Sequence, residues 1–314
     1  MILDAFVQLA QMMVVLALAP LLAGYVRKLK ALLLGRKGPP LLQPYRDLLR
    51  LLRKEVVLAH SASWLFRVAP YLIFAATWVA AALVPTFATG LLFSYAADMI
   101  AIVALLGSAR FMLALAGLDV GTSFGGIGSS REMMIASLAE PAMLMVVFTV
   151  ALLAGSTQLS SIAAFMQGSG VGLRVSLAMA LVALVMVALA ENARIPVDNP
   201  ATHLELTMVH EAMILEYSAR HLALIEWAVA IKLFAYMTIG IALFLPWGIA
   251  GAGDWGALPL AVVALALKLA LGGACLALLE SVLAKLRLFL APEFLSTAFL
   301  LAVLGMLTHF LVRA

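Results

Sequence analysis

The chain is poor in charge and nearly devoid of cysteine, and both shortages limit what it can do. Asp, Glu, Lys and Arg make up 11% of its 314 residues, 65% are hydrophobic, and mean hydropathy is +1.13. That balance lies outside the soluble globular range and predicts an integral membrane protein. Cys275 is the single cysteine. One thiol in an apolar run cannot hold an iron–sulfur cluster or a structural zinc, each of which needs several ligands. No cofactor is therefore expected in this chain, and any redox centre has to reside in a partner. No Lys or Arg precedes Arg27, so the first apolar run lacks the basic flank of a secretory signal and is expected to remain as a helix. There is no sustained internal repeat, low-complexity segment or second domain, so residues 1–314 are expected to form a single membrane domain. A pI near 9.3 does not point to nucleic acid, because the basic residues crowd beside apolar runs, where membrane lipids are the natural partner.

What is present is a series of runs long enough to cross the hydrocarbon, about 20 residues each. They lie near 2–26, 68–87, 95–117, 133–155, 173–190, 222–245, 258–280 and 294–312. The expected fold is an all-α integral membrane protein with eight transmembrane helices. With the N-terminus outside, ten basic residues from Arg27 to Arg67, then Arg131, Arg194, Arg220, Lys285 and Arg287, fall in inner loops, against Arg174 and Arg313 outside. The positive-inside bias thus predicts both termini outside and the loop 191–221 on the cytoplasmic face. The first inner loop predicts a basic amphipathic helix at about 43–57. Pro44 suits its first turn, Tyr45, Leu48, Leu49, Leu52 and Val56 share one side, and Arg46, Arg50, Arg53 and Lys54 take the other. Such a helix lies on the leaflet, either as a solvated basic face or as a docking element. Between spans three and four, Gly117, Gly121, Gly125, Gly126 and Gly128 predict a mobile inner loop, with Ser129 or Ser130 capping the next helix. It lacks the Lys-Ser/Thr ending of a phosphate loop.

Ionisable residues inside apolar runs are expensive and point to function. Glu140, followed by Pro141, falls in the fourth span. A carboxylate there suits the uptake and release of protons, unless Arg110 or Lys232 holds it in a static pair. Glu226, Lys232 and Lys268 could continue a titratable chain inward from the cytoplasmic end, whereas Asp98, Arg110 and Glu280 are expected to be snorkelling or packing pairs near span ends. The stretch Glu191 to Glu226 concentrates the rest: Glu191, Asp198, Glu205, Glu211, Glu216 and Glu226, with His203, His210 and His221. Asn199 and Pro200 form a helix start, predicting a short helix towards Ile214. His203 and His210 are seven apart and no further His or Cys completes a metal ligand set. Glu211 and His221 are expected to be solvated helix polarity.

The string ARIPVDNP with HLEL and EYS, together with GRKGP near Gly35, LLQPYRDLLRLLRKE at 41–55 and SREMMIASLAEP at 130–141, resembles one family throughout the chain. That family is the membrane subunit shared by proton-pumping NADH:quinone oxidoreductase and energy-converting nickel–iron hydrogenases. The fuller stretch from Glu191 is most similar to component C of formate-hydrogenlyase-type hydrogenases. Val197, Ala201 and His203 depart from the quinone-reducing branch. The resemblance implies a proton path through Glu140, Glu191, Asp198, Glu205 and Glu216, with Arg131 and Arg194 as supporting charges. It also implies peripheral hydrogenase and iron–sulfur subunits carrying iron–sulfur clusters and a nickel–iron site, antiporter-like membrane subunits alongside, and a bacterial or archaeal cytoplasmic (inner) membrane. The expected function is that of a membrane-anchor and proton-path subunit coupling redox chemistry in a peripheral arm to ion translocation. The alternatives are the corresponding role in a quinone-reducing complex, with a quinone site near the first cytoplasmic loop, an autonomous secondary transporter, and a purely structural anchor. The transporter reading lacks the repeat and the paired broken helices of such carriers.

Overall fold

The computed structural model describes residues 2–168, 174–198, 208–284, 286 and 290–313. All regular elements among them are helical: α1 (Ile2–Leu33), α2 (Gln43–Leu52), α3 (Trp64–Leu83), α4 (Met99–Asp119), α5 (Ser123–Ala154), α6 (Leu159–Gln167), α7 (Val175–Glu191), α8 (His210–Ile214), α9 (Ala219–Phe244), α10 (Leu258–Val282) and α11 (Ala291–Arg313). Seven helices are long and apolar enough to span a bilayer: α1, α3, α4, α5, α9, α10 and α11. The eighth expected span is α7, an apolar helix of only 17 residues. The chain is a multi-pass membrane protein, and its outer faces agree with that. On α10, Leu260, Val263, Leu267 and Leu271 form a stripe at helical spacing, each more than half exposed, which only a lipid environment tolerates.

Helix α9 lies at the centre, packing on α1, α3, α6, α7 and α10, while α4, α5, α7 and α11 close one side and α1 and α10 the other. Two apolar cores follow from this division. One fills the space between α4, α5, α7 and α9 around Met99, Ile102, Met143, Val146 and Ile239. The other joins α1 and α10 to α9 around Val15, Val26, Ile231, Phe234 and Leu265. Hydrogen bonds mark the two ends of the bundle. Ser63 N and Oγ donate to Asp119 across α3 and α4 at the end that carries α2 and α8. At the other end Asp98 caps α4 and accepts from Thr157 Oγ1 at 2.6 Å.

Two expectations need correction. The amphipathic helix stops at Leu52, so Arg53, Lys54 and Val56 lie beyond it, although Pro44 occupies its first turn as expected. The glycine-rich stretch is not a mobile loop: α4 runs on to Asp119 and α5 begins at Ser123, capped by Thr122, which accepts from Gly125 N, and not by Ser129 or Ser130. The physical reason is close packing. A Cβ at Gly125 would lie 2.2 Å from the Gly117 carbonyl oxygen, and one at Gly128 would lie 2.9 Å from that of Val209. Glycine here lets α4, α5 and the segment before α8 touch backbone to backbone. Replacing Gly125 by alanine is expected to cost about 1–3 kcal/mol by overpacking, read as a lower melting temperature of the detergent-purified protein. An unchanged melting temperature would show that the two helices can separate freely.

Candidate functional site

Helix α7 is short, and its last turn is the key to the site. Ala193 has φ of 49°, Arg194 N donates to Leu189 O at 2.9 Å, and Ala193 N donates to Ala190 O at 3.2 Å. This 6→1 and 5→2 pair of bonds is a Schellman stop built on alanine where glycine is usual, at a cost of about 1–2 kcal/mol. The stop turns the chain inward. Glu191, Asn192, Ile195, Val197 and Asp198 are all buried, so the start of the acidic loop is sunk within the bundle.

Four helices bring charges to that point. Arg110 of α4 reaches Glu132 of α5 (Nε to Oε1, 2.9 Å) and Glu191 of α7 (Nη2 to Oε2, 2.5 Å), and Lys232 of α9 reaches the same Glu191 oxygen at 2.9 Å. Arg110, Glu132 and Glu191 are all less than 8% exposed. The Tyr236 hydroxyl, one helical turn beyond Lys232, lies within hydrogen-bonding reach of Glu191. Two cations thus face two carboxylates, which is what allows charge to persist at this depth. Beside them is a cavity lined by Thr77, Arg110, Glu132, Glu191, His210 and Lys232.

Glu140 approaches the same cluster without joining its pairs. Its carboxylate rests against α4, where a Cβ at Gly107 would come within 3.1 Å of Oε1, one helical turn from Arg110. No cation lies within ion-pair distance of it among the described residues. The static pair with Arg110 or Lys232 is therefore not formed, because both cations are engaged by Glu132 and Glu191.

A second cluster ties the loop to the outer helices. Glu280 of α10, buried, accepts from Lys30 of α1 at 2.7 Å and from Arg194 at 3.1 Å. Burial pulls the Arg194 guanidinium below its ordinary value, Glu280 opposes this, and nearby Arg27 adds to it. Glu280 is thus a buried bridge across three segments.

The other expected residues are placed as follows. Asp198 is buried and accepts from His210 N at 3.4 Å. Arg131 donates to Met208 O at 3.0 Å and so anchors the segment before α8. Glu216 is exposed beside α8, and Glu226 is half-buried on α9. Glu205 and His203, with the helix start at Asn199 and Pro200, lie outside the described residues. Lys268 does not extend a chain inward from the α8 end. It donates to the Leu245 and Trp247 carbonyls at the opposite end of α9, because a long cation on α10 finds its nearest free acceptors at that helix C-terminus.

His221 is also not solvated. It is 4% exposed and meets the ring edges of Tyr71 and Tyr217, at 5.7 and 6.5 Å between centroids. Tyr217 itself stacks on Phe66 and donates to the Phe66 carbonyl at 3.0 Å, and burial raises its hydroxyl above the ordinary range. It therefore serves as a neutral donor.

Sequence reading missed Glu132, Tyr236 and the central place of Arg110. The available signal was Arg110 itself, whose cost inside an apolar run requires carboxylate partners.

A sequence profile of the NADH dehydrogenase family matches residues 6–311. The chain is similar to formate hydrogenlyase subunit 4 of Escherichia coli (strain K12), 33% identical over 91% of this chain and 92% of that one. It is equally similar to hydrogenase-4 component C of the same organism, 33% identical over 95% and 93%. A membrane-subunit relative from the NADH-quinone oxidoreductase of Phocaeicola vulgatus is 28% identical over 67% of this chain and 59% of its own length. In fold the chain matches a chain of the membrane-bound sulfane sulfur reductase, an archaeal respiratory membrane complex, with a TM-score of 0.81, 18% identity, and coverage of 97% and 99%.

Proposed function

We propose, because this chain belongs to the NADH dehydrogenase family, that it is the membrane-anchor and proton-path subunit of a multisubunit energy-converting hydrogenase. The observation that carries the reading is the buried set Arg110, Glu132, Glu191 and Lys232, with Glu140 beside it and outside its pairs. A structural anchor alone has no use for five ionisable groups at this depth. The full-length similarity to formate hydrogenlyase subunit 4 and hydrogenase-4 component C supports the hydrogenase branch over the quinone-reducing one. Peripheral hydrogenase and iron–sulfur subunits would dock at the end bearing α2 and α8, and antiporter-like membrane subunits would lie alongside.

In this reading a redox change in the peripheral arm alters the field at the loop after α7. The buried carboxylates respond as a coupled set, not one by one. Glu191 and Glu132 stay anchored by Arg110 and Lys232, and Glu140 carries the mobile proton, exchanging it as the surrounding charges shift. Asp198, Glu205, Glu216 and Glu226 would connect the set to the surface, and Arg131 and Arg194 would hold the loop in place. Lys268 sits too far from this set to take part in the same step.

The basic residues at the α2 end favour a cytoplasmic location for that end, with both termini outside. Cleavage of a terminal tag from the cytoplasmic side would overturn this orientation. The function is tested by purifying the native complex through a tag on this subunit and assaying nickel, hydrogen evolution and quinone reduction in parallel. Nickel with hydrogen turnover is the expected result. Quinone reduction without nickel would replace the reading with the quinone-reductase one, and recovery of the subunit alone would point to a transporter.

A further inference from the structure

His210 opens the short helix α8 and lines the cavity together with Arg110, Glu132, Glu191 and Lys232. Its Nε2 is buried and has no hydrogen-bond partner among the described residues. Its backbone is fixed from the other direction, since the amide N donates to buried Asp198. A buried ring nitrogen without a partner is costly unless something visits it. The groups that share the cavity name the visitor. Glu132 and Glu191 are carboxylates already engaged by cations, Arg110 and Lys232 are permanent donors, and Thr77 adds a hydroxyl. A water in this cavity would meet the two to four polar partners that an internal water requires.

We infer that His210 is a proton-relay residue. It exchanges protons through Nε2 between the cavity beside Glu191 and the loop segment held by Asp198. In each exchange an N–H bond forms at Nε2 as an O–H bond of a cavity water breaks, and the reverse step returns the proton, so no other reactant is consumed. Imidazole suits the task because it is the side chain that both accepts and gives up a proton near neutral pH. The charged groups facing it set the direction of its response. Arg110 from α4 and Lys232 from α9 disfavour the imidazolium, whereas Glu132 from α5, Glu191 from α7 and Asp198 from the loop favour it. The occupancy of the proton on His210 therefore follows the charge state of the cluster.

This inference rests on the proton-path reading, and the experiment separates the two. The native complex is reconstituted in vesicles, and proton translocation and hydrogen turnover are measured across pH for the wild type, His210→Gln and His210→Ala. Assembly is verified on native gels. Both variants are expected to lose translocation by about tenfold or more while hydrogen turnover persists, and added imidazole is expected to restore translocation to His210→Ala but not to His210→Gln. His210→Gln, which keeps size and polarity but cannot relay a proton, overturns the inference if it translocates like the wild type. Equal loss in both variants with no rescue by imidazole also overturns it, since that marks a packing role. If the wild type itself turns over hydrogen without moving protons, the proton-path reading fails first.

Discussion

Replacing Arg110 by methionine is expected to be the most damaging single change in the chain, lowering stability by about 3–5 kcal/mol. The guanidinium is 4% exposed and holds Glu132 at 2.9 Å and Glu191 at 2.5 Å. Without it, Glu132 has no cation within ion-pair distance among the described residues, and Glu191 keeps only Lys232. Both carboxylates then have to be buried unpaired or take up protons. The loss is asymmetric: deleting one member of a buried set costs far more than removing the set together. A triple variant, Arg110→Met with Glu132→Gln and Glu191→Gln, is therefore expected to recover much of the stability. Arg110→Lys should fall between, because one ammonium cannot serve two carboxylates with the reach of a guanidinium. The readouts are yield of assembled complex and its melting temperature. A single Arg110→Met variant that assembles and melts like the wild type would mean that the cluster contributes nothing to the fold.

The second large effect is on function. Glu140→Gln is expected to abolish ion translocation, by about a hundredfold or more, with hydrogen turnover in the arm largely intact. Glutamine matches the carboxylate in size, so the contact with Gly107 is preserved and only the exchangeable proton is lost. The charge count singles this residue out. Arg110 and Lys232 are balanced by Glu132 and Glu191 through direct contacts, which leaves Glu140 as the carboxylate without a fixed partner. Its protonation can change without breaking an ion pair. Simultaneous measurement of hydrogen evolution and vesicle acidification decides the matter, and translocation retained by Glu140→Gln would remove this residue from the path.

The helical spans were legible because the bilayer imposes a length and an apolar composition that survive without knowledge of any contact. Boundaries failed where packing outweighed composition. Gly117 to Gly128 looks like a flexible loop in one dimension, but the glycines are there to let α4 and α5 approach. Starting the fourth span at 133 had a direct consequence for the site, since it left Glu132 outside the helix that buries it. Glu140, Glu191 and Lys232 were recognisable as expensive charges, and the structure brings all three to one place. Their partners were not recognisable, because pairing Arg110 with residues 22 and 81 positions away depends on how four helices meet. Lys268 failed for the related reason that depth along a helix does not reveal which end of the neighbouring helix is near. The acidic loop looked like a surface feature, and only the short α7 shows that it begins inside.

That short helix also fixes where membrane voltage acts. Seventeen residues rise about 26 Å, less than the roughly 30 Å of hydrocarbon, so the polar groups at its end stand inside the insulating layer. A full crossing of one elementary charge works against about 2.3 kcal/mol per 100 mV. A proton reaching Glu191 from the α8 end traverses little of that drop, and one leaving towards the far face traverses most of it. The outward leg is therefore the one that a membrane potential retards, and the approach to Glu191 responds chiefly to pH.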